Sequence, residues 1–270
     1  MPELPEVETT VRGLVPVLLD RTLVRVETRR GDMRRPFPVD LRQRMTGARV
    51  ISLARRAKYG LVGTDRGNTM IFHLGMSGRW RIDPGELGAH DHLVLETDTG
   101  RVLALNDPRR FGFVDLVEGD PEQCYPPFGE LGPEPLSPAF NGACLARVLT
   151  GRSAPIKAML LDQKIVAGLG NIYVCEALNR ARIHPGRAAG RISQARVDRL
   201  VEAIKRVLDA AIAAGGSTLR DFARPDGELG YFAKDWRVYG REGEACACGA
   251  RVRRRVDSGR STFFCAACQR

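Results

Sequence analysis

CACGARVRRRVDSGRSTFFCAAC, residues 246–268, is the stretch on which the reading of the fold turns. Two cysteine pairs, Cys246 with Cys248 and Cys265 with Cys268, bracket 16 residues. Zinc takes four thiolates in a tetrahedron at about 2.3 Å, and two close pairs on adjacent turns supply that set. Between the pairs, RVRRRV and STFF flank Asp257-Ser258-Gly259, a turn signal. The pattern predicts a two-stranded hairpin with Arg260 beside its tip. A hairpin this small is marginal in water without a staple. One spacing is irregular: the first pair is C-x-C, whereas the usual knuckle turn has two intervening residues. A site in which one of these cysteines does not ligate therefore stays open, as do disulfides and free thiols. Cys124, Cys144 and Cys175 are scattered and read as packing residues.

Upstream of this tail the apolar period is helical. IKAMLLDQKIV, NIYVCEALNRA and VDRLVEAIKRVLDAAIAA each carry an apolar stripe, and Gly215-Gly216 ends the last of them. Residues 124–138, CYPPFGELGPEPLSP, are rich in Pro and Gly and read as a linker. From 22 to 117 the period is two. TLVRVETR, RVISLARR, TMIFHL, DHLVLET, RVLAL and FVDLV are short strand patterns between Gly, Asp and Pro turns, which suggests a β-sandwich or barrel. Residues 5–19 return to helical spacing through Val7, Val11, Leu14 and Leu18, with Glu6 and Glu8 at the positive end of the dipole. Pro16 is expected to kink or end that helix.

The chain has 270 residues, 42 basic and 32 acidic, for a net charge of +10. With 43% hydrophobic residues it is not globally disordered. No uncharged apolar run approaches the ~18 residues that span a bilayer. The opening MPELPEVE is acidic, unlike a signal peptide. A cytoplasmic protein with reduced or metal-bound cysteines is expected. The charge is segregated. Residues 21–58 hold 12 basic against 3 acidic, 80–135 hold 4 against 12, 147–213 hold 12 against 5, and 241–270 hold 7 against 3. Such blocks fit a positive face for a polyanion. Only five basic residues are lysine, which directs attention to each as a candidate for amine chemistry.

Seven motifs in order then identify a resemblance: MPELPEVET, RRAKY (55–59), HLGMSG (73–78), NDPRRFG (106–112), LGPEPL (131–136), VAGLGNIY (166–173) and the cysteine hairpin. The chain resembles the bacterial formamidopyrimidine-DNA glycosylases from residue 2 to residue 270. The resemblance implies an α+β multidomain protein. Its parts would be an N-terminal β-sandwich catalytic domain with flanking helices (1–123), a linker (124–138), a helix–two-turn–helix domain (139–240) and a zinc finger (241–270). A base-capping loop would lie at about 217–239. It also implies a monomer that binds double-stranded DNA carrying damaged bases at the nucleoid. One structural zinc, no small-molecule cofactor and no membrane belong to that expectation. The activity implied is excision of oxidised purines followed by strand cleavage. Leu4 and the Arg109–Phe111 element look like this branch rather than the endonuclease VIII type, which acts on oxidised pyrimidines. A non-catalytic zinc-hairpin DNA-binding protein is the third reading.

The resemblance also assigns roles. Pro2, once Met1 is removed, offers a secondary amine; α-amino groups titrate near ~8, so a neutral nucleophilic fraction exists at pH 7. Glu3 beside it can relay protons and stabilise a cationic sugar. Lys58 corresponds to the lysine concerned with base release and phosphate contact, and Arg260 to the hairpin arginine that binds phosphates flanking the lesion. Met76, Arg109 and Phe111 correspond to the residues that fill the gap left by a flipped base. By residue type alone, Met76 and Phe111 would read as core. Asn171 reads as an N-cap at a helix start that faces phosphate. Arg152, Lys157, His73 and His90 match family positions near DNA, and the histidines read equally as structural.

Overall fold

The computed structural model describes residues 2–217 and 232–270. The chain forms two compact units, residues 1–129 with 214–233, and residues 130–213 with 234–270. No helix among the described residues is long and apolar enough to cross a membrane.

The first unit opens with helix α1 (Leu4–Leu18) and continues through β1 (Leu23–Thr28), a short α2 (Leu41–Met45), β2 (Val50–Arg56), β3 (Tyr59–Thr64), β4 (Asn68–His73), β5 (Arg79–Ile82), β6 (Asp91–Thr97), β7 (Val102–Asn106) and β8 (Phe113–Glu118). The strands form two antiparallel four-stranded sheets, ordered β1-β6-β7-β5 and β2-β3-β4-β8. One core joins them. Val26, Trp80, Leu93, Leu95, Leu103 and Leu105 from the first sheet pack with Val50, Val62, Met70, Phe72 and Val114 from the second. Alternation along each strand sends one row of side chains to that core. The Phe72 ring meets Trp80 edge-on at 5.6 Å. Burying each such side chain stabilises the fold by about 1.5–3 kcal/mol. The α1 stripe of Val7, Val11, Leu14 and Leu18 enters the same core.

Three details differ from the sequence reading. Pro16 lies inside α1 rather than at its end, and the helix stops two residues later at Leu18. Strands β3 and β5 fall outside the sequence's strand patterns: β5, RWRI, alternates but over only four residues. In β3 the cause is a neighbouring strand: a Cβ on Gly60 would lie 2.1 Å from the Phe72 ring of β4, so the position excludes the β-branched residues that mark a strand. Cys124 is exposed rather than packed, whereas Cys175 is buried.

The second unit holds short helices α5 (Gly142–Leu149) and α6 (Ile156–Leu161), then α7 (Asn171–Arg180) and α8 (Gln194–Ala213), after α3 (Pro121–Cys124) and α4 (Pro126–Gly129) have closed the first. Asn141 caps α5 by accepting from the Cys144 N–H at 2.9 Å. Helix α8 packs on α5 and α7. Its buried face is Val197, Leu200, Val201, Ile204, Val207, Leu208 and Ala211, and left-handed Gly215 and Gly216 follow its end. The stripe over 156–166 yields a shorter helix than its length suggests, because α6 stops at Leu161. The Gln163 side chain then knits the following loop, bonding the Leu161 and Leu169 carbonyls and accepting from the Gly168 N–H. The hairpin β9 (Arg253–Asp257) and β10 (Arg260–Phe264) lies against α7.

Candidate active site and metal centre

In the first unit the start of α1 is buried: Pro2, Glu3 and Glu6 are all inaccessible. Glu6 is more than a dipole-favoured acid. Its Oε2 accepts from the Glu3 N–H at 2.9 Å and its Oε1 from the Ser217 N–H at 2.8 Å. Glu3 is the N-cap, so the first hydrogen bond fixes the chain directly after Pro2. Glu8 also departs from the simple dipole role. It pairs with Arg12 at 2.7 Å and with Arg55, at the end of β2, at 2.9 Å. Burial opposes its charge, but the hydrogen bonds from Arg12 and Arg55 outweigh that and hold its carboxyl below the usual range.

Arg55 carries no mark in the sequence beyond its place in RRAKY. While its Nε holds Glu8, its Nη1 donates to the Ala57 carbonyl at 3.1 Å. Ala57 and Lys58 form the two-residue turn between β2 and β3, whose strands pair at Arg56 and Tyr59. Ala57 sits in the left-handed region at φ 51°, a conformation a non-glycine residue holds only when its surroundings fix it. Arg55 supplies that fixation, tying the Lys58 turn to the first turns of α1. Lys58 is 8% exposed, an amine withdrawn from bulk water.

Met76 and Phe111 belong to neighbouring loops and are exposed, 38% and 42% respectively. Core placement, the plain reading of these residue types, is therefore excluded, and two large apolar side chains stand in water. The Arg109 guanidinium lies 4.6 Å from the centre of the Phe111 ring. Asp107, fully buried, organises both loops. It accepts from the Ser77 hydroxyl at 2.5 Å, the Gly112 N–H at 2.8 Å and the Arg109 N–H at 3.3 Å. Gly75, at φ 62°, lets the loops touch: a Cβ there would fall 2.3 Å from the Phe111 carbonyl carbon. Asp107 was legible only as part of a motif, because its partners come from a second loop.

His73 ends β4 and stacks on Phe113 at 5.1 Å with an interplanar angle of 6°. Its Nδ1 accepts from the Gly75 N–H at 3.0 Å, which leaves the ring proton on Nε2. Burial, then the positive charges of Lys58, Arg34 and Arg35, push its pKa down to about 4. The unfolded chain takes up that proton near 6.5, so stability falls as pH drops from about 6.5 to 4, by about 3 kcal/mol at most. Melting measured from pH 7.5 to 4.5 is expected to fall less steeply for His73→Phe than for the parent; parallel curves would contradict this account. His90 is exposed, with its ring 6.4 Å from that of buried His92. His92 Nε2 bonds the Asp107 carbonyl at 2.9 Å.

In the second unit, Asn171 is the first residue of α7 and Gly170 is the cap, so the N-cap expectation is corrected. The Asn171 side chain turns to the hairpin instead, donating from Nδ2 to the Ser261 carbonyl at 2.8 Å. Lys157 is 3% exposed, and its Nζ bonds Thr262 Oγ1 at 2.6 Å and the Ser261 carbonyl at 3.3 Å. Arg152 is exposed after α5, its backbone fastened to the turn at 189–191. Glu176, fully buried in α7, accepts from the backbone N–H groups of Arg237, Val238 and Tyr239 and so seats the chain leading to the hairpin. Residues 218–231 of the expected base-capping loop lie outside the described residues.

All four tail cysteines converge, with their sulfurs within 4.8 Å of one another. Cys246 and Cys268 are 3.9 Å apart and Cys248 and Cys265 3.6 Å, far beyond a disulfide bond. A tetrahedral ion with bonds of about 2.3 Å places its thiolates about 3.8 Å apart, so the cluster fits such an ion. The C-x-C spacing is accommodated by a tight turn: the Gly249 N–H donates to the Cys246 carbonyl at 2.8 Å, and the Cys246 N–H to the Ala250 carbonyl at 2.7 Å. The surroundings fit the charge as well. A cavity of about 430 Å³ beside the cluster is walled by Arg180, Arg182, Arg237 and Arg241 and by no carboxylate. Arg180 pairs with Glu176 and Arg241 with Glu244. The Arg182 and Arg237 side chains have no acidic partner among the described residues and would offset the net −2 that four thiolates leave around a divalent ion.

Comparison with known proteins follows the same division of the chain. Residues 1–114 match the model of the formamidopyrimidine-DNA glycosylase N-terminal domain, and residues 131–223 that of the H2TH domain of the same family. The chain is 72% identical over 270 residues to the formamidopyrimidine-DNA glycosylase of Rhizorhabdus wittichii, covering all of both. It is 66% identical to that of Novosphingobium aromaticivorans, again over the full length of both. Among solved structures, the MutM (Fpg) protein of Thermus thermophilus is similar with a TM-score of 0.90 at 42% identity, over 99% of this chain and 98% of that one. A point mutant of the Lactococcus lactis Fpg, in complex with a DNA containing Fapy-dG, is similar with a TM-score of 0.92 at 32% identity over both whole chains.

Proposed function

The chain belongs to the formamidopyrimidine-DNA glycosylase family, and from that premise we propose how its own residues carry out the reaction. The protein is a DNA glycosylase for oxidised purines, with the lyase activity of its family. The observation that carries the residue-level reading is the start of α1. Pro2 and Glu3 are buried there on a backbone fixed by Glu6, and Arg55 ties the turn bearing Lys58 to the same helix.

With Met1 removed, the Pro2 nitrogen attacks C1′ of the damaged nucleotide. The C–N glycosidic bond breaks, its electron pair leaves with the base, and the base gains a proton. Glu3 and Lys58 are the groups at hand to move that proton and to balance the positive sugar. Ring opening of the sugar gives an iminium, which acts as an electron sink. Loss of a C2′ proton then expels the 3′ phosphate, and a second elimination expels the 5′ phosphate. Water finally releases Pro2. Arg260 binds the flanking phosphates as a fixed bidentate donor. Met76 and Phe111 enter the stack where the nucleotide has left, and Arg109 offers donors to the widowed base. Their exposure supports this role, since an apolar side chain in water gains by entering a base stack. His73, His90, Arg152 and Asn171 serve the DNA backbone, His73 through its neutral Nε2–H.

The Cys246, Cys248, Cys265 and Cys268 thiolates hold one zinc, which staples the hairpin and takes no part in the chemistry. The partner is double-stranded DNA with a damaged base, bound by a monomer at the nucleoid in the cytoplasm. Borohydride trapping is the test. A covalent adduct is expected on a duplex with 8-oxoguanine opposite cytosine, and much less on one with thymine glycol. The reverse preference would move the protein to the oxidised-pyrimidine branch, and no adduct on either would remove the Pro2 mechanism.

A further inference from the structure

The hairpin turn sets an electrostatic problem of its own. Ser258 and Gly259, both left-handed at φ 48° and 74°, join β9 to β10, and Asp257 faces Arg260 directly across the strand register. Opposite charges placed as cross-strand neighbours pair readily. A carboxylate on Arg260 would neutralise the guanidinium assigned to phosphate. Yet no carboxylate lies within ion-pair distance of Arg260 among the described residues, and Asp257 is engaged elsewhere. Its Oδ2 accepts from the Thr262 hydroxyl at 2.5 Å and from Arg255 Nε at 2.9 Å.

Thr262 can donate in that direction because its oxygen is already filled from the other side. Lys157, on α6, donates to Thr262 Oγ1 at 2.6 Å. Lys157 has no acceptor role available, so the hydroxyl proton has to go onward to Asp257. The result is a directed chain: Lys157 ammonium, Thr262 hydroxyl, Asp257 carboxylate. Thr262 is fully buried, so water does not compete for the hydroxyl. Burial works against a charge on Asp257. Thr262, Arg255 and Lys157 outweigh it and hold the carboxyl below the usual range, so Asp257 stays ionised and would compete for Arg260 if released. The Ser261 carbonyl, next to Arg260, is fixed by both Lys157 and Asn171, so the strand position does not drift.

We propose that Thr262 and Lys157 are positioning residues that hold the Asp257 carboxylate away from Arg260 and so keep the hairpin arginine free for a DNA phosphate. Lys157 therefore serves the DNA through the hairpin rather than by its own contact. The inference rests on Arg260 being a phosphate ligand, and the experiment separates the two.

The probe is an abasic-analogue duplex, with Kd measured across a salt series and with the split between β- and β,δ-elimination products scored on an 8-oxoguanine duplex. Arg260→Ala tests the underlying reading. It is expected to weaken binding about tenfold and to lower the log–log salt slope by about 0.9, one phosphate contact. Thr262→Val, nearly the same shape without the hydroxyl, is expected to reproduce both changes and to shift products toward β-elimination, with metal content unchanged. Adding Asp257→Asn to Thr262→Val is expected to restore Kd, slope and product split to near the parent values. Thr262→Ser, which keeps the hydroxyl, is expected to behave as the parent. If Arg260→Ala has no effect, the phosphate reading fails. If Arg260→Ala acts but Thr262→Val does not, or if the second substitution brings no rescue, the positioning role is wrong. A hairpin merely destabilised by Thr262→Val would lose metal and would not be rescued by removing a charge on Asp257.

Discussion

Replacing Pro2 with glycine is expected to abolish the borohydride-trapped adduct on an 8-oxoguanine duplex and to lower base excision by at least about 10³-fold. The chemistry explains the size. A proline N-terminus is a secondary amine whose iminium is fully substituted, held in a ring that fixes rotation about its N–Cα bond. Glycine leaves a primary amine on the freest backbone available, next to a buried Glu3 whose placement depends on the hydrogen bond to Glu6. Orientation of a nucleophile accounts for several kcal/mol of a barrier, and that is the part glycine gives up. Binding should change little, within about threefold, because Met76, Arg109, Phe111 and the hairpin are untouched. Protein that retains Met1 should be as inactive as the variant, since the proline nitrogen is then an amide with no lone pair to donate. Full excision by either species would sink the assignment of the nucleophile.

The second large effect concerns the tail. Cys265→Ser is expected to drop metal content well below one per chain and to weaken duplex binding by about 10²-fold or more, with a shallower salt slope. Cys265 is fully buried, 3.6 Å from Cys248, and its N–H donates to the Gln269 side chain at 2.8 Å. The hydrophobic neighbourhood of the hairpin is small: Cys175, Val238 and Val252, with Tyr239 and Phe263 at its margin. That is too little to order two five-residue strands alone, whereas a bound structural zinc contributes about 10–16 kcal/mol. With the staple gone, the hairpin that presents Arg260, the proposed phosphate ligand, loses its fixed geometry. The two-sheet unit has its own core and should keep its thermal transition. Chelation of the parent protein should reproduce the loss. Unchanged binding after metal removal would mean that the hairpin stands without it.

Much of this was legible in the residues. The α1 stripe, six of the strands, the α8 face and the cysteine hairpin follow from apolar period and turn chemistry, which are local properties. The unread strand β3 shows the limit. Its glycines weaken the signal, and the reason for Gly60 is a ring contributed by another strand. The same limit holds at the site. Pro2, Glu3, Lys58 and the cysteines stand out by motif, but Arg55, Asp107, Glu6 and Glu176 do not. Each acts by bonding a backbone or carboxylate brought near by folding.

Residue order alone was enough for the kinds of element and the four thiolates, and through the family resemblance it singled out Pro2, Glu3 and Lys58 as the proposed reacting groups. Folding settled that Met76 and Phe111 stand in water, that the C-x-C pair closes on the second pair, and that Asn171 and Lys157 each donate to the hairpin. The difference is one of range. Periodicity and residue chemistry are written within a few neighbours along the chain. Exposure and hydrogen-bond partnership depend on which distant segment arrives, and that is set by the packing of the whole.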